Sequence, residues 1–496
     1  MSAMFALRAS CLGLVVLTAQ FALAQGSGVV PTFSASTTYA DNRGNFTGEE
    51  DRQFVTQLSP GFQWSSRHGR LQGAVDYQLT ATFYSNQAEA NNHRNSLAAK
   101  LTGEPIENWL FVDALASIGQ EAISPFDRPV TSGFAANDNA AEVRMFSLSP
   151  YVRGKLLGAA VYEVRWTAVR TRGASVVGAN SDSDTALVSV SSASAARLGW
   201  TVQATKQNVD FGSGANSSND RINAQLNWAT TDELRLGLTG GQESTDVVGG
   251  ARRTYGNWGW TLRWTPTPRT DLSVLSERRY FGNSHSLSFT HRMRRSTLIY
   301  TDTRGADNGG GAAGLGQPVS LYSLYFELFA AQEPNPALRD QLVRNYLRAI
   351  GQDPSSLVSG GFLTSAVTLQ RRQNLALAIQ GVRTNISLQA FRGDTSQLQT
   401  TGSNLQDALP VRQAGFVASL SYRLSPVSSV SLSATQQRTA STGVQPESDT
   451  RSVSLAYSSA LGPSVSASFA LRYTEFDSLS NPYRESAATA SLSVRF

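Results

Sequence analysis

The groups in this 496-residue chain that could do acid–base or metal chemistry are few. The imidazoles are His68, His93, His285 and His291. A general base needs a hydroxyl, thiol or carboxylate partner within hydrogen-bond reach. His68 sits in a turn and His93 in a polar stretch, and neither has a local pattern of that kind. His285 and His291 flank an alternating segment, six residues apart; on a strand that spacing gives one face but about 20 Å of separation, too far to share a metal. The single cysteine, Cys11, lies ahead of an apolar run near the start. Asp/Asn/Gly-rich pieces at 210–220 and 302–311 carry oxygen ligands of the type calcium takes but lack the spacing of an EF-hand loop, and they read as solvated turns. No catalytic site, metal site or cofactor is expected, and the chain is not expected to be an enzyme.

Arginine is the remaining candidate. Lysine occurs only at Lys100, Lys155 and Lys206, so the net charge of +5 is carried almost wholly by guanidinium groups, which stay ionised and form forked contacts with anions. They are scattered along the chain instead of forming the basic patch that a nucleic-acid binder needs; no nucleic acid is expected as a partner. Arg165, Arg221, Arg235, Arg263, Arg423 and Arg472 fall on the face opposite stripes of Leu, Trp and Tyr. In a water-filled enclosure such side chains would concentrate anions. The alternative is structural: each pairs with an inward acid, such as Glu163 or Asp76, and fastens neighbouring strands.

Both roles require strands, and the chain is full of them. Leu71, Gly73, Val75, Tyr77, Leu79, Ala81 and Phe83 alternate with Gln72, Ala74, Asp76, Gln78, Thr80 and Thr82. The same two-faced pattern recurs at 198–204, 221–228, 258–264, 414–422, 453–457, 465–473 and 488–496. Side chains on a strand alternate faces with period two. Compact links at 65–70, 103–108, 153–158, 230–233, 266–270, 426 and 462–463 alternate with longer polar ones. Those longer links are 41–52, 85–94, 121–142, 172–184, 208–220, 242–252, 393–410, 439–450 and 477–485. Short turns at one end and long loops at the other are the plan of a transmembrane antiparallel up-and-down β-barrel; counting along the chain gives about 22 strands, within 18–24, and an even number. An all-β barrel also reconciles 41% hydrophobic residues with a mean hydropathy of −0.22, because only alternate residues face lipid.

The ends fit this plan. Residues 1–24 carry Arg8, an apolar run from Leu12 to Leu23 and the small-residue pattern Ala22-Leu23-Ala24. That is the layout of a secretory signal peptide with cleavage between Ala24 and Gln25, leaving 25–496 as the barrel. A plug domain ahead of the barrel, as in a TonB-gated transporter, finds no room, because strand pattern begins near Pro31. The last strand alternates Ala488, Ala490, Leu492, Val494 and Phe496 against Thr489, Ser491, Ser493 and Arg495. It resembles the C-terminal signature of bacterial outer-membrane barrels, which implies that Phe496 is read by the barrel-assembly machinery. One link breaks the rhythm: 304–361 holds a Gly-rich run, an aromatic run at 321–329 and a helix pattern over 334–351. There Leu338, Leu342, Val343, Tyr346, Leu347 and Ile350 form one stripe. So long a loop is expected to fold inward and narrow the lumen or to form a surface lid.

Within residues 30–125, Thr38-Tyr39-Ala40-Asp41-Asn42, Phe54–Gly61, Phe83-Tyr84-Ser85-Asn86, Trp109–Asp113 and Ile123-Ser124-Pro125 resemble the PEP-CTERM system-associated outer-membrane β-barrel proteins. The resemblance implies a porin-like barrel in a bacterial outer membrane, linked to exopolysaccharide and protein-sorting clusters. Its partners would be outer-membrane lipid, the assembly machinery and an anionic polysaccharide. The leading expectation is a conduit, or an accessory component of one, for exopolysaccharide secretion. The alternatives are a general or anion-preferring diffusion porin and a non-conducting scaffold that binds partners through its outer loops.

Overall fold

In the computed structural model of the chain the described residues are 27–44, 50–66, 69–86, 91–128, 139–173, 180–193, 197–212, 216–307, 325, 326, 329, 339, 343, 362, 364, 366–398, 410–441, 447–479 and 482–496. The expected leader, with Ala24 and Gln25, lies outside them.

The strands in chain order are β1 (Ser27–Gly44), β2 (Glu50–Ser66), β3 (Leu71–Tyr84), β4 (Asn92–Ile106), β5 (Leu110–Ala122), β6 (Ala140–Leu156), β7 (Ala160–Gly173) and β8 (Ser181–Ser192). Next are β9 (Leu198–Phe211), β10 (Asn216–Ala229), β11 (Leu234–Thr245), β12 (Arg253–Thr267), β13 (Thr270–Arg279), β14 (Gly282–Arg292) and β15 (Ser296–Asp307). The rest are β16 (Thr368–Gln380), β17 (Thr384–Gln397), β18 (Val411–Ser425), β19 (Ser428–Ser441), β20 (Ser448–Ala460), β21 (Val465–Ser478) and β22 (Tyr483–Arg495). All 22 belong to one antiparallel sheet in which each strand pairs with its sequence neighbours, and β1 pairs with β22 to close it. Thr38 and Thr489 share a 2.9 Å hydroxyl hydrogen bond across that seam, and the Phe496 N–H donates to the Pro31 carbonyl at 3.1 Å. The fold is the closed up-and-down barrel that the alternation predicts. Full closure leaves no sheet edge for lipid to meet.

The apolar stripe faces outward. Leu198, Trp200 and Val202 on β9 are 57%, 41% and 41% exposed, while Leu238 on β11 reaches 67%. Large apolar side chains so exposed stand on every strand except β5 and β13 to β15, and a band of that kind is what a lipid-facing surface requires. Among the described residues no helix is long and apolar enough to cross a membrane; the strands do it. They run from 10 to 18 residues, whereas about 9 to 11 tilted residues cross the hydrocarbon. The surplus projects beyond the lipid at the long-loop end, and there the two faces exchange character. On β9 the outward residues become Lys206, Asn208 and Asp210, and the inward ones Val209 and Phe211, which are buried. Above the bilayer the outside meets water, so apolar residues retreat inward. Stretches expected as loops, such as 208–220, are therefore mostly strand.

Turn chemistry sets the short links. Between β6 and β7, Leu157 and Gly158 hold φ of 49° and 70°, closed by Ala159 N–H donating to the Leu156 carbonyl at 3.0 Å. That is a type I′ turn, whose twist matches the flanking strands.

Candidate functional site: the lumen

The inward face has two sectors. From β17 through β22 and across the seam to β1 the wall is lined by small hydroxyls. Ser429–Ser458, Ser433–Ser454, Ser468–Ser491 and Ser452–Thr474 lie within hydrogen-bond distance at 2.9, 2.6, 2.6 and 3.1 Å. Each pair is directly opposed in register, so each satisfies its partner, and apart from Arg423, Arg495 and the Arg472–Glu485 pair the surface is neutral and hydrophilic. From β5 to β13 the wall is charged. Arg165 bonds Asp113 and Glu163, each at 2.9 Å, and its guanidinium lies 3.7 Å from the Tyr151 ring centroid. Arg221 reaches past two strands to Glu277, making contacts of 2.9 and 3.0 Å. Gly259, on β12 beside Glu277, makes room: a Cβ there would lie 2.7 Å from Glu277 Cγ. Glu243, fully buried, pairs with Arg279 and accepts from the Asn219 amide at 2.9 Å.

The six arginines singled out by sequence all project into the lumen by alternation, but they do not form one ring. Arg165, Arg221 and Arg472 are ion-paired along the wall, Arg472 with the buried Glu485 at 2.7 Å. Arg235, Arg263 and Arg423 gather at the short-turn end. Asp76 instead accepts from the Gln63 amide at 2.9 Å. Two of the described histidines have separate partners: His285 Nε2 is 3.0 Å from Asp302, on the outward face, and His291 Nδ1 is 2.9 Å from the Thr270 hydroxyl; His68 lies outside the described residues. Among the described residues no cluster of His, Cys, Asp or Glu is placed to hold a metal.

The break in rhythm spans 308–367, between β15 and β16. The expected helix at 334–351 lies almost wholly outside the described residues; Arg339 and Val343 are described there, both with helical backbone. The described residues of the insertion touch the wall at widely separated places. The Tyr325 hydroxyl bonds Ser387 on β17 at 2.8 Å and Ser419 on β18 at 3.2 Å. Those serines are opposed in register and 2.6 Å from each other. Ser387 is three residues from the short-turn end of β17, about 10 Å along the strand, so Tyr325 sits deep in the barrel. Its ring stacks on Phe329, with centroids 6.1 Å apart, and it is 4% exposed.

At the other end Phe362 makes a parallel bridge to Ala122, the last residue of β5. The β4 partner of β5 stops at Ile118, which leaves an open edge that Phe362 occupies. In a ring of 22 strands β5 lies opposite β16. Strands about 4.8 Å apart and tilted about 40° would close such a ring at a diameter of about 44 Å. Phe362 stands only six residues before Thr368 opens β16, a reach of at most about 21 Å. The long-loop mouth is therefore drawn together well below the width of a round barrel. An apolar cluster of Val209, Phe211, Val247, Tyr280 and Val367 packs there, recruiting Tyr255, Phe281 and Leu398. Burial in it pushes the Tyr280 hydroxyl pKa up.

Removing the Tyr325 hydroxyl tests the deep anchor. Tyr325→Phe forfeits hydrogen bonds worth about 1 kcal/mol net, because the two serines keep each other, and the released population should rise about fivefold. Single-channel recording in planar bilayers would show more frequent openings with unchanged barrel stability.

No protein-family profile matches the chain, and no curated protein does. Solved structures do. The FrpB iron transporter from Neisseria meningitidis (F5-1 variant) superposes with a TM-score of 0.50 at 10% identity, over 96% of this chain and 83% of that one. OccK5 (OpdH) from Pseudomonas aeruginosa gives 0.33 at 9% identity, over 94% and 98%, and OpdO from the same organism 0.32 at 9%, over 94% and 97%. At such identities the likeness is one of fold. A closed 22-strand sheet with a lipid-facing exterior, in a fold shared with FrpB, is that of a β-barrel of the bacterial outer membrane, and the plan of such barrels puts short turns in the periplasm and long loops outside.

Proposed function

We propose that the chain is an outer-membrane conduit, or an accessory component of one, for exopolysaccharide secretion, held closed by its own 308–367 insertion. The observation that carries this reading is the Tyr325 anchor deep inside a hydrophilic lumen. An insertion that only decorated the surface would have no reason to bond the wall so near the periplasmic end. The hydroxyl-lined sector suits a hydrated polymer, because paired serines and threonines offer many weak contacts and no deep binding site. The fold neighbour FrpB is an iron transporter, and no arrangement of His, Ser and acid in the described lumen suggests catalysis. The polymer itself is proposed from the resemblance across residues 30–125. Against a freely open diffusion porin stand the drawn-in outer mouth and the apolar cluster at Val209, Phe211 and Val367.

Loss of the gene in its host should reduce surface polysaccharide and leave polymer in the periplasm, with recovery on complementation. Glycan staining of intact cells and of periplasmic extracts measures both. Normal surface polysaccharide in the deletion strain would end this reading.

A further inference from the structure

The periplasmic mouth is strongly and asymmetrically basic. Its turns carry Arg70, Arg197, Arg269, Arg294, Arg295 and Arg383, all exposed. On the inward face of strands that end there stand Arg153, Arg235, Arg263, Arg423 and Arg495, also exposed. The side-chain carboxylates at that end are Glu104, Glu107, Asp232, Glu233 and Asp271, of which Asp271 bonds Arg263 at 2.9 Å; the α-carboxylate of Phe496 lies there too, beside Arg495. The next acids inward, Asp113 and Glu163, are both bonded to Arg165. Arg235 and Arg263 are directly opposed in the β11–β12 ladder, on the same inward face. Like charges directly opposite each other weaken a sheet, so stability does not explain the pair.

Lipid does not explain it either. The outward residues at the same height are Trp200, Trp228, Trp264, Tyr422 and Tyr457, the aromatic girdle expected at a membrane interface. The cations point into the lumen and from the turn tips into the periplasm, where a solute arrives. We infer that the periplasmic mouth is an entry site for a polyanion, a carboxylated or phosphorylated polysaccharide chain, gathered by the turn arginines and led inward by Arg235, Arg263, Arg423 and Arg495. This rests on the conduit reading and names the charge of what enters. Guanidinium groups suit the task because they stay ionised and bind carboxylate and phosphate oxygens two at a time. A low-dielectric wall focuses their field across the opening.

The test uses the full-length barrel in nanodiscs of uncharged net lipid, with fluorescein-labelled oligogalacturonate and a neutral dextran oligomer of matched length as probes. Fluorescence anisotropy should show binding of the anionic probe alone, weakening steeply as salt rises from low to physiological. Arg235→Gln/Arg423→Gln/Arg495→Gln should weaken it about tenfold or more. Arg438→Gln/Arg451→Gln/Arg484→Gln, on the outward face near the other mouth, should leave it unchanged. Equal binding of dextran, salt-independent binding by the wild type, or equal loss in both triple variants would overturn the inference. So would loss confined to Arg269→Gln/Arg294→Gln/Arg383→Gln, which would move the site onto the turn tips and favour an acidic periplasmic protein. The wild-type salt and probe comparison stands even if a variant fails to fold. Polyanion binding in a protein whose gene deletion spares surface polysaccharide would sink the secretion reading and keep this one; the reverse pattern would do the opposite.

Discussion

Joining Asp307 to Thr368 through an Asn-Gly turn, with 308–367 removed, should yield a barrel whose single-channel steps are several times those of the wild type. The design follows from register: Asp307 and Thr368 are opposed at the end of the β15–β16 ladder, the position from which a two-residue type I′ turn closes a hairpin. Three attachments seen among the described residues leave with the segment. Tyr325 no longer crosses to Ser387 and Ser419. Phe362 leaves the open edge of β5 at Ala122. Val367, which is fully buried, drops out of the apolar cluster at the outer mouth. With the clamp between β5 and β16 gone, the mouth can relax towards the circle that 22 strands prefer. The barrel itself should survive, since its ladder is continuous without the segment; resistance to unfolding in detergent at moderate temperature would confirm that. Unchanged conductance in a folded deletion variant would show that the insertion does not obstruct the path. Because Tyr325→Phe cuts one described anchor and the deletion cuts every one, the two should fall in order, with the point variant flickering and the deletion steadily open.

The barrel was readable because period two is a property of every strand and lipid imposes it on one face. Leu198, Trp200 and Val202 declare the outside of β9 without reference to any other residue. Parity then places Arg165 and Arg221 inside. What parity cannot supply is the partner. Glu163, two residues from Arg165 on the same face, could be read locally; Asp113, two strands away on β5, could not. Glu277 meets Arg221 only because β10 and β13 are staggered and Gly259 clears the space between them. Loop boundaries failed for a different reason. Lys206, Asn208 and Asp210 look like loop because they are polar, yet they are the water-facing side of a strand that has already left the membrane. The partners of Tyr325 have no sequence signal. The aromatic run at 321–329 shows that something there must be buried, but Ser387 and Ser419 resemble every other serine on that wall.

Glu243→Gln should be the most damaging single change in the charged sector. Glu243 is fully buried and is held by Arg279 and by Asn219. Arg279 is itself 13% exposed and lies beside Phe281, its guanidinium 5.2 Å from that ring. Breaking one partner of a buried ion pair leaves the other charge desolvated and costs about 3 to 5 kcal/mol. The amide keeps the volume of the carboxylate, so packing is spared and the loss reports on charge. Glu243→Gln/Arg279→Gln should recover much of it, because no uncompensated charge remains; a double-mutant cycle separates coupling from the single losses. Urea unfolding of the barrel in vesicles, followed by tryptophan fluorescence, is the measurement. The neighbouring Arg221–Glu277 pair has more water access on the arginine side, at 21% against 13% exposure. Arg221→Gln should therefore cost less. If both variants unfold at the same urea concentration as wild type, these ion pairs do not fasten the wall, and the arginines of this sector become free to act on solute instead.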